Sequence, residues 1–383
     1  MQFSRLEQLI DSMPQRGIPT CDLAVTIDGE QVFRRAAGFS DEQKTKPVSP
    51  DDLYWIFSAS KLITCTAAMQ LIEQGKLSLD DPVSRYLPAF GELTVRNPDQ
   101  TISPCRTPMT ILHLFTMTGG MTYDLDHPAV REAAAVPGAG TLEIVSAMAR
   151  MPLRFEPGTH YRYSLCHDVL GAVVEVVSGM RLSDYLKTHI FEPLGMTDTG
   201  FHPTPEQISR ICASYRYDSG TGTSRLIPSD NEDQLTPRYD SGGGGLFSSV
   251  DDYMRFVSAL ACGGTSKNGV RLLRPESIAQ MEVNRLCPAA LRDFVTTRLY
   301  GYGWGLCGRV HMNPVYSLSL SPVGEFGWDG AAGAFAMIDR KNRLALYFAM
   351  HVRGCNYAYH VLHPLIRNLV YEGLGLLPES PIG

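Results

Sequence analysis

The run YWIFSASKLITCTAAMQLIEQG, Tyr54 to Gly75, decides how this chain is read. Its apolar residues Leu62, Cys65, Met69 and Ile72 recur at helical spacing, and Gly75 followed by Lys76 supplies a stop, so the pattern predicts a buried helix beginning near Ser58. On such a helix Ser58 and Lys61 share one face, within hydrogen-bonding reach of each other. Both fall in the first turn, where unpaired N–H groups and the macrodipole create a positive potential that disfavours a protonated amine. Desolvation acts in the same direction, so Lys61 is expected to take the proton of Ser58. S-x-x-K is a short pattern, and a serine at a helix start with a solvated lysine one turn on has the same spelling. The weight therefore comes from the rest of the chain.

With 383 residues, 44% of them hydrophobic, the chain holds a large core and exceeds one ordinary domain, which predicts two lobes sharing a cleft. Charged residues are 19% and the net charge is −6 with no basic run, which offers nucleic acid or an anionic membrane no electrostatic footprint. No apolar run reaches the roughly eighteen residues of a spanning helix. The start MQFSRLEQLIDSM carries acids within an amphipathic pattern and lacks the basic and apolar regions of a secretory signal, so a cytoplasmic protein is expected. Nine cysteines, scattered from Cys21 to Cys355 without a C-x-x-C pair, argue against a disulfide framework and fit reduced thiols. Ten histidines form no H-E-x-x-H or similar spacing, so neither metal nor cofactor is expected. Cys166 and His167 are adjacent, but neighbouring side chains diverge on any regular element.

Ser4 and Glu7 have capping-box spacing ahead of the stripe Leu6, Leu9, Ile10 and Met13, which predicts a first helix. Leu23, Val25 and Ile27 then alternate with Ala24, Thr26 and Asp28, and Asp28-Gly29 turns the chain into Val32 and Phe33 as a hairpin. Helices are expected at Thr110 to Met117, Thr141 to Met151, Asp168 to Ser178, Leu182 to Ile190 and Pro205 to Ile208, with Asp168 as an N-cap. Ser241 to Gly245 reads as a flexible return, and Asp251 to Leu260 as a helix capped by Ser249 or Asp251. Phe335 to Ile338 and Leu344 to Met350 form a second hairpin, and Tyr357 to Tyr371 is amphipathic through Val361, Leu362, Leu365, Leu369 and Val370. The expected class is therefore α/β (α+β): an antiparallel sheet flanked by helices, built from residues 1–79 and 236–383, around an inserted, mainly helical lobe of residues 80–235. Gly303, Gly305 and Gly308 spell G-x-G-x-x-G, but Arg309 to Val315 after them looks extended where a dinucleotide site needs a helix. No G-x-S-x-G elbow occurs.

Several separate stretches, in order, resemble one family: GEQVFRRAAGFSDEQKTKPVSPDDLYWIFSASK, MTILHLFTMTGGMTYD, FEPGTHYRYS, IFEPLGMTDTGF, GGGGLFSSVDDYMRFVSALACGG and FGWDGAAG. Together they are similar to the serine β-lactamase and penicillin-binding-protein superfamily, within it the class C β-lactamase-like group that includes the family VIII carboxylesterases. The resemblance covers residues from about 20 to 350. It implies a β-lactamase/transpeptidase-like fold with its active site between two lobes. Residue by residue, it implies Ser58 as nucleophile, Lys61 as its partner and Tyr163 of Tyr163-Ser164-Leu165 as the family's tyrosine, with either Lys61 or a deprotonated Tyr163 as the base that takes the Ser58 proton. It places the third element on Trp328-Asp329-Gly330, and the backbone N–H groups of Ser58 and Ala331 as the oxyanion hole. Tyr123 in the GGMTYD loop is a further candidate at the substrate.

Two departures bear on the substrate. Where the family presents a cation to a substrate carboxylate this chain has Trp328, and where it presents an amide it has Leu165. An anionic group left unpaired against such surfaces costs roughly 2–5 kcal/mol, so neutral acyl groups are expected. The expected activity is a serine carboxylesterase on small esters, with a β-lactamase or D-amino-acid-specific peptidase (its cation supplied by Arg353) and an acyltransferase to an alcohol as alternatives. His351 and Arg353 close the last predicted strand, where a solvated strand end is the default.

Overall fold

The computed structural model describes residues 1–295 and 299–377. Asp28 and Gly29 both take positive φ, 53° and 77°, which is the geometry of a two-residue hairpin turn whose twist matches its strands. The turn joins Thr20–Ile27 to Glu30–Gly38, and Thr20–Ile27 pairs on its other edge with Leu344–Met350, Cys21 facing Met350 and Ile27 facing Leu344. The two ends of the chain thus meet in one seven-stranded sheet. Its order is Glu30–Gly38, Thr20–Ile27, Leu344–Met350, Phe335–Asp339, Phe326–Gly327, Arg309–His311, Tyr302–Trp304, and every pair is antiparallel.

Both faces of the sheet are covered, and period two divides the central strand between them. Leu344, Leu346, Phe348 and Met350 pack with Leu6, Ile10, Ile366 and Val370 from the terminal helices Ser4–Asp11 and His363–Leu374, and with Leu362 just ahead of the second. Ala345, Tyr347 and Ala349 face the helix Val250–Ala261, where Tyr253 stacks on Tyr347 at 4.1 Å. The same buried cluster runs without interruption into the buried helix Ser60–Glu73 and the helices Ile111–Phe115, Thr141–Met148, Cys166–Ser178 and Leu182–Leu186. Among the described residues no helix is long and apolar enough to cross a membrane.

Several local expectations shift. Ser58 lies in a 3-10 turn, Phe57–Ala59, and the α-helix starts at Ser60. Ser4 does not cap: the first helix has Phe3 as its N-cap, because the Gln2 N–H is bonded to Gly373 O and draws the chain into the helix one residue earlier. A wide π-turn, Ala358–Leu362, rotates the C-terminal helix, so Leu362, Ile366, Leu369 and Val370 are buried while Val361 and Leu365 remain 43% and 36% exposed. Ser249 is the cap of Val250–Ala261, accepting from Asp252 N–H at 3.1 Å. The extended run after Gly308 stops at His311, and Asn313 caps a short helical turn, Pro314–Ser317. Gly303 lies in the antiparallel strand pair Tyr302–Trp304 with Arg309–His311, and Gly308 sits in the turn joining those strands, where its Cα approaches the Gly327 backbone closely. Small hairpins at Thr94–Arg96 with Ile102–Pro104, and Ser214–Asp218 with Thr223–Ile227, carry no strong alternation and are visible only in the structure.

Candidate active site

Ser58 is presented by a bent backbone. Phe57, immediately before it, holds φ at +45°, a conformation that costs a residue with a Cβ roughly 1–2 kcal/mol. Neighbours hold that turn in place: Ile56 N–H donates to Leu246 O at 3.0 Å, Tyr253 OH to Ala59 O at 2.8 Å, and the Arg353 guanidinium lies 4.7 Å over the Phe57 ring. One helical turn on, Lys61 is wholly buried. Its Nζ stands 3.1 Å from Ser58 Oγ and donates to Gly243 O at 2.5 Å. An amine with one N–H committed to Gly243 O can turn its lone pair to the Ser58 hydroxyl.

The segment Ser241 to Gly245 is not a flexible return; all five residues are buried. Thr64 Oγ1 donates to Gly242 O at 2.8 Å, so the segment lies as a strap along the helix Ser60–Glu73. A side chain on Gly242 would place its Cβ 2.7 Å from His167 O, so the lack of a Cβ serves close approach here.

Tyr163 comes from the loop before the helix Cys166–Ser178, and its ring centroid lies 4.7 Å from Lys61 Nζ. The ring stacks on Tyr123 at 6.0 Å, parallel to within 1°. Trp328 Nε1–H donates to Tyr163 OH at 3.0 Å. Because an indole N–H only donates, the phenol oxygen is the acceptor in that bond and its own proton is free to point elsewhere. Ser58, Tyr163, Trp328, Asp329, Gly330 and Ala331 line one cavity of about 320 Å³, with Tyr161, Leu299 and Tyr359 completing apolar walls. A second cavity of about 400 Å³ opens elsewhere, at Thr26, Met254 and Lys267, and none of the predicted site residues reaches it.

The turn carrying Ala331 is fixed by Gly330 N–H to Ala334 O at 2.8 Å and by Tyr359 OH to Gly330 O at 2.8 Å. Asp329 faces away from a reacting group: it pairs with Arg309 at 2.9 Å, and His363 Nδ1 lies 3.8 Å off. Burial opposes its ionisation, but Arg309, then His363, outweigh that and hold its pKa below the usual carboxylate value. Leu165 is the N-cap of Cys166–Ser178 and is buried in the core, not on the cavity wall. Tyr123 OH reaches toward Asp233 at 3.4 Å, and burial, then the Asp233 charge, push its pKa up.

Other residues differ from expectation. Asp168 is not an N-cap but sits in the first turn of its helix, fully buried. His351 is no solvated strand end: it is buried against Cys212 O at 2.9 Å, and burial lowers its pKa to about 4. Arg353 is engaged by Glu232 at 2.6 Å. His167 lies 3.2 Å from Phe115 O in the core. Sequence inspection missed Asp233, Gly243 and the buried Arg309; a lone acid in a loop, one glycine of four and an arginine on a short strand carry no periodic signal.

Comparison with known proteins agrees with this architecture. A family model described as Beta-lactamase matches residues 6–367. Protein Rv1367c of Mycobacterium tuberculosis is 33% identical over 334 residues, covering 82% of this chain and 81% of its own length. Lovastatin esterase of Penicillium rubens is 31% identical over 368 residues, covering 88% of each chain. The solved structure of EstCE1, described as a hydrolase with promiscuous acyltransferase activity, superposes with a TM-score of 0.79 at 25% identity, over 96% of this chain and 98% of that one. With a family model spanning nearly the whole chain and esterases among its relatives, this protein belongs to the Beta-lactamase family and is a serine hydrolase of the β-lactamase-like fold.

Proposed function

We propose that the chain is a carboxylesterase working through an acyl-enzyme on Ser58 and accepting esters with neutral acyl groups. The observation that carries this reading is the 3.1 Å separation of Ser58 Oγ and Lys61 Nζ, at a cavity that Tyr163 and Ala331 also line. Ser58 Oγ attacks the ester carbonyl as its proton passes to Lys61 Nζ. The oxyanion forms against the N–H groups of Ser58 and Ala331. Tyr163 gives its proton to the departing alkoxide and recovers one from Lys61; water then enters and the same groups run in reverse.

The neutral-acyl preference follows from the walls. Trp328 occupies the family's cation position with its N–H directed to Tyr163, and Arg353 is paired with Glu232 and stacked on Phe57. The lovastatin esterase relative supports ester chemistry. Purified protein should release nitrophenolate from p-nitrophenyl acetate or butyrate, and Ser58→Ala should not. Absence of turnover in the wild type, or robust nitrocefin hydrolysis lost in Arg353→Ala, overturns the reading. A second reading, transfer of the acyl group to an alcohol, is favoured by the activity described for EstCE1. Product partition with and without an added alcohol separates it from hydrolysis.

A further inference from the structure

We propose that Asp168 is a positioning residue for the Ser58–Lys61 pair: its buried carboxylate holds the glycine strap whose Gly243 carbonyl receives the Lys61 amine. The inference rests on the acyl-enzyme reading and adds to it a residue that does not line the substrate cavity. Oδ1 of Asp168 accepts from Ser241 Oγ at 2.6 Å, Tyr239 OH at 2.9 Å and Gly243 N–H at 3.3 Å. All three donors come from the strap or the residues leading into it. A wholly buried carboxylate is costly unless hydrogen-bonded, and here its hydrogen bonds tie the helix Cys166–Ser178 to the strap.

The other oxygen, Oδ2, has no hydrogen-bond partner among the described residues and faces the Gly243 Cα, so that a methyl group built there would collide with it. The strap is confined on further sides: a methyl group on Gly244 would collide with Asp233 Oδ2, and His167 O closes over Gly242. Gly243 therefore has its N–H on Asp168 and its C=O on Lys61, whose Nζ is 3.1 Å from Ser58 Oγ. Loosening the strap leaves the buried amine free to turn its lone pair away from the hydroxyl. A misplacement of about 1 Å in such a pair costs on the order of 10²-fold in rate.

The charge of Asp168 gives the assignment a signature. Around Lys61 stand Cys65 on its own helix, Cys166, His167 and Asp168 on the neighbouring helix, Tyr163 and Tyr123 under the amine, and Asp233 across the strap. Burial, then Lys61, holds His167 down to about 3, and burial holds Cys166 up at about 11, so neither changes charge near neutrality. Asp233 does: burial, then Asp168, pushes it up to about 6. Removing the anion at 168 eases deprotonation of Asp233, which faces Lys61 across the strap, so the acid limb of the rate profile moves to lower pH.

The test uses the full chain and p-nitrophenyl butyrate. Asp168→Asn keeps an acceptor oxygen for the strap but not the charge; kcat should fall about 10- to 100-fold with KM held within about 2-fold, and the acid limb should shift down. Labelling of Ser58 by a fluorophosphonate should slow in proportion. Ser241→Ala, which keeps the carboxylate and removes one donor, should lower kcat by a smaller factor without moving the limb. A folded Asp168→Asn protein with wild-type kcat, or with lowered kcat and an unmoved limb, overturns the proposal. If that variant does not fold, wild-type kcat in Ser241→Ala overturns it. Loss of activity in Ser58→Ala beside an undisturbed Asp168→Asn removes this assignment alone, whereas an active Ser58→Ala removes the acyl-enzyme reading and this assignment with it.

Discussion

Replacing Trp328 by Phe isolates one bond at the site. The indole N–H donates to Tyr163 OH at 3.0 Å, while the ring packs against Tyr163 at 5.5 Å and edge-on to Trp304 at 4.5 Å. Phe keeps an aromatic ring there and removes the donor. In the ground state the bond joins neutral partners, worth about 0.5–1.5 kcal/mol; as Tyr163 gives up its proton the phenol oxygen gains negative charge and the bond moves toward the 1.5–3 kcal/mol of a charged acceptor. The differential is about 1–2 kcal/mol, or roughly 5- to 30-fold in kcat. Because both side chains are only partly buried, water replaces some of the lost donor and the lower part of that range is expected. The leaving group makes the assay selective. Nitrophenolate departs without needing a proton, whereas an alkoxide needs one, so kcat should fall by the full factor on ethyl butyrate and by much less on p-nitrophenyl butyrate. Equal losses on the two esters, or no loss on ethyl butyrate at an unchanged thermal midpoint, would refute a role for this bond in proton delivery.

Lys61→Met should lower kcat by about 10²- to 10⁴-fold, the usual range for removing a general base, with fluorophosphonate labelling of Ser58 slowed likewise; labelling at the wild-type rate would contradict the assignment. Arg309→Met leaves Glu325 and Asp329 without their shared guanidinium and should cost about 3–5 kcal/mol in urea unfolding. Asp329 is held below its unfolded pKa, so its contribution is complete above about pH 4 and is lost as pH falls through the folded value; the gap between wild type and Arg309→Met should narrow in acid. Asp233 has the opposite sign: burial, then Asp168, raises it to about 6, so the wild type loses stability as pH rises from about 4 to about 6. Asp233→Asn should therefore gain in thermal midpoint over wild type at pH 7.5 and lose that gain near pH 4; a pH-independent difference would be inconsistent with a titrating Asp233.

The elements most legible from residues alone are those whose signal is local. Asp28-Gly29 names its own turn, Leu344 to Met350 divides its side chains between two faces, and Ser58 and Lys61 are placed together by helical spacing, whether the turn between them is 3-10 or α. The resemblance of separate motifs added Tyr163, Trp328 and Ala331, which no periodicity brings to Ser58. The tertiary structure alone decided what surrounds them. Asp168 opens a helix and reads as a cap, yet its acceptor is used by Tyr239, Ser241 and Gly243, some seventy residues away. Ser241 to Gly245 reads as freedom and is confinement, because a missing Cβ permits a loose chain and a close approach equally well. Leu165 follows Tyr163 by two residues and turns into the core. Periodicity records which side of an element is apolar; which distant carbonyl or carboxylate meets a given polar atom is settled only when the elements dock and each buried group must find a partner.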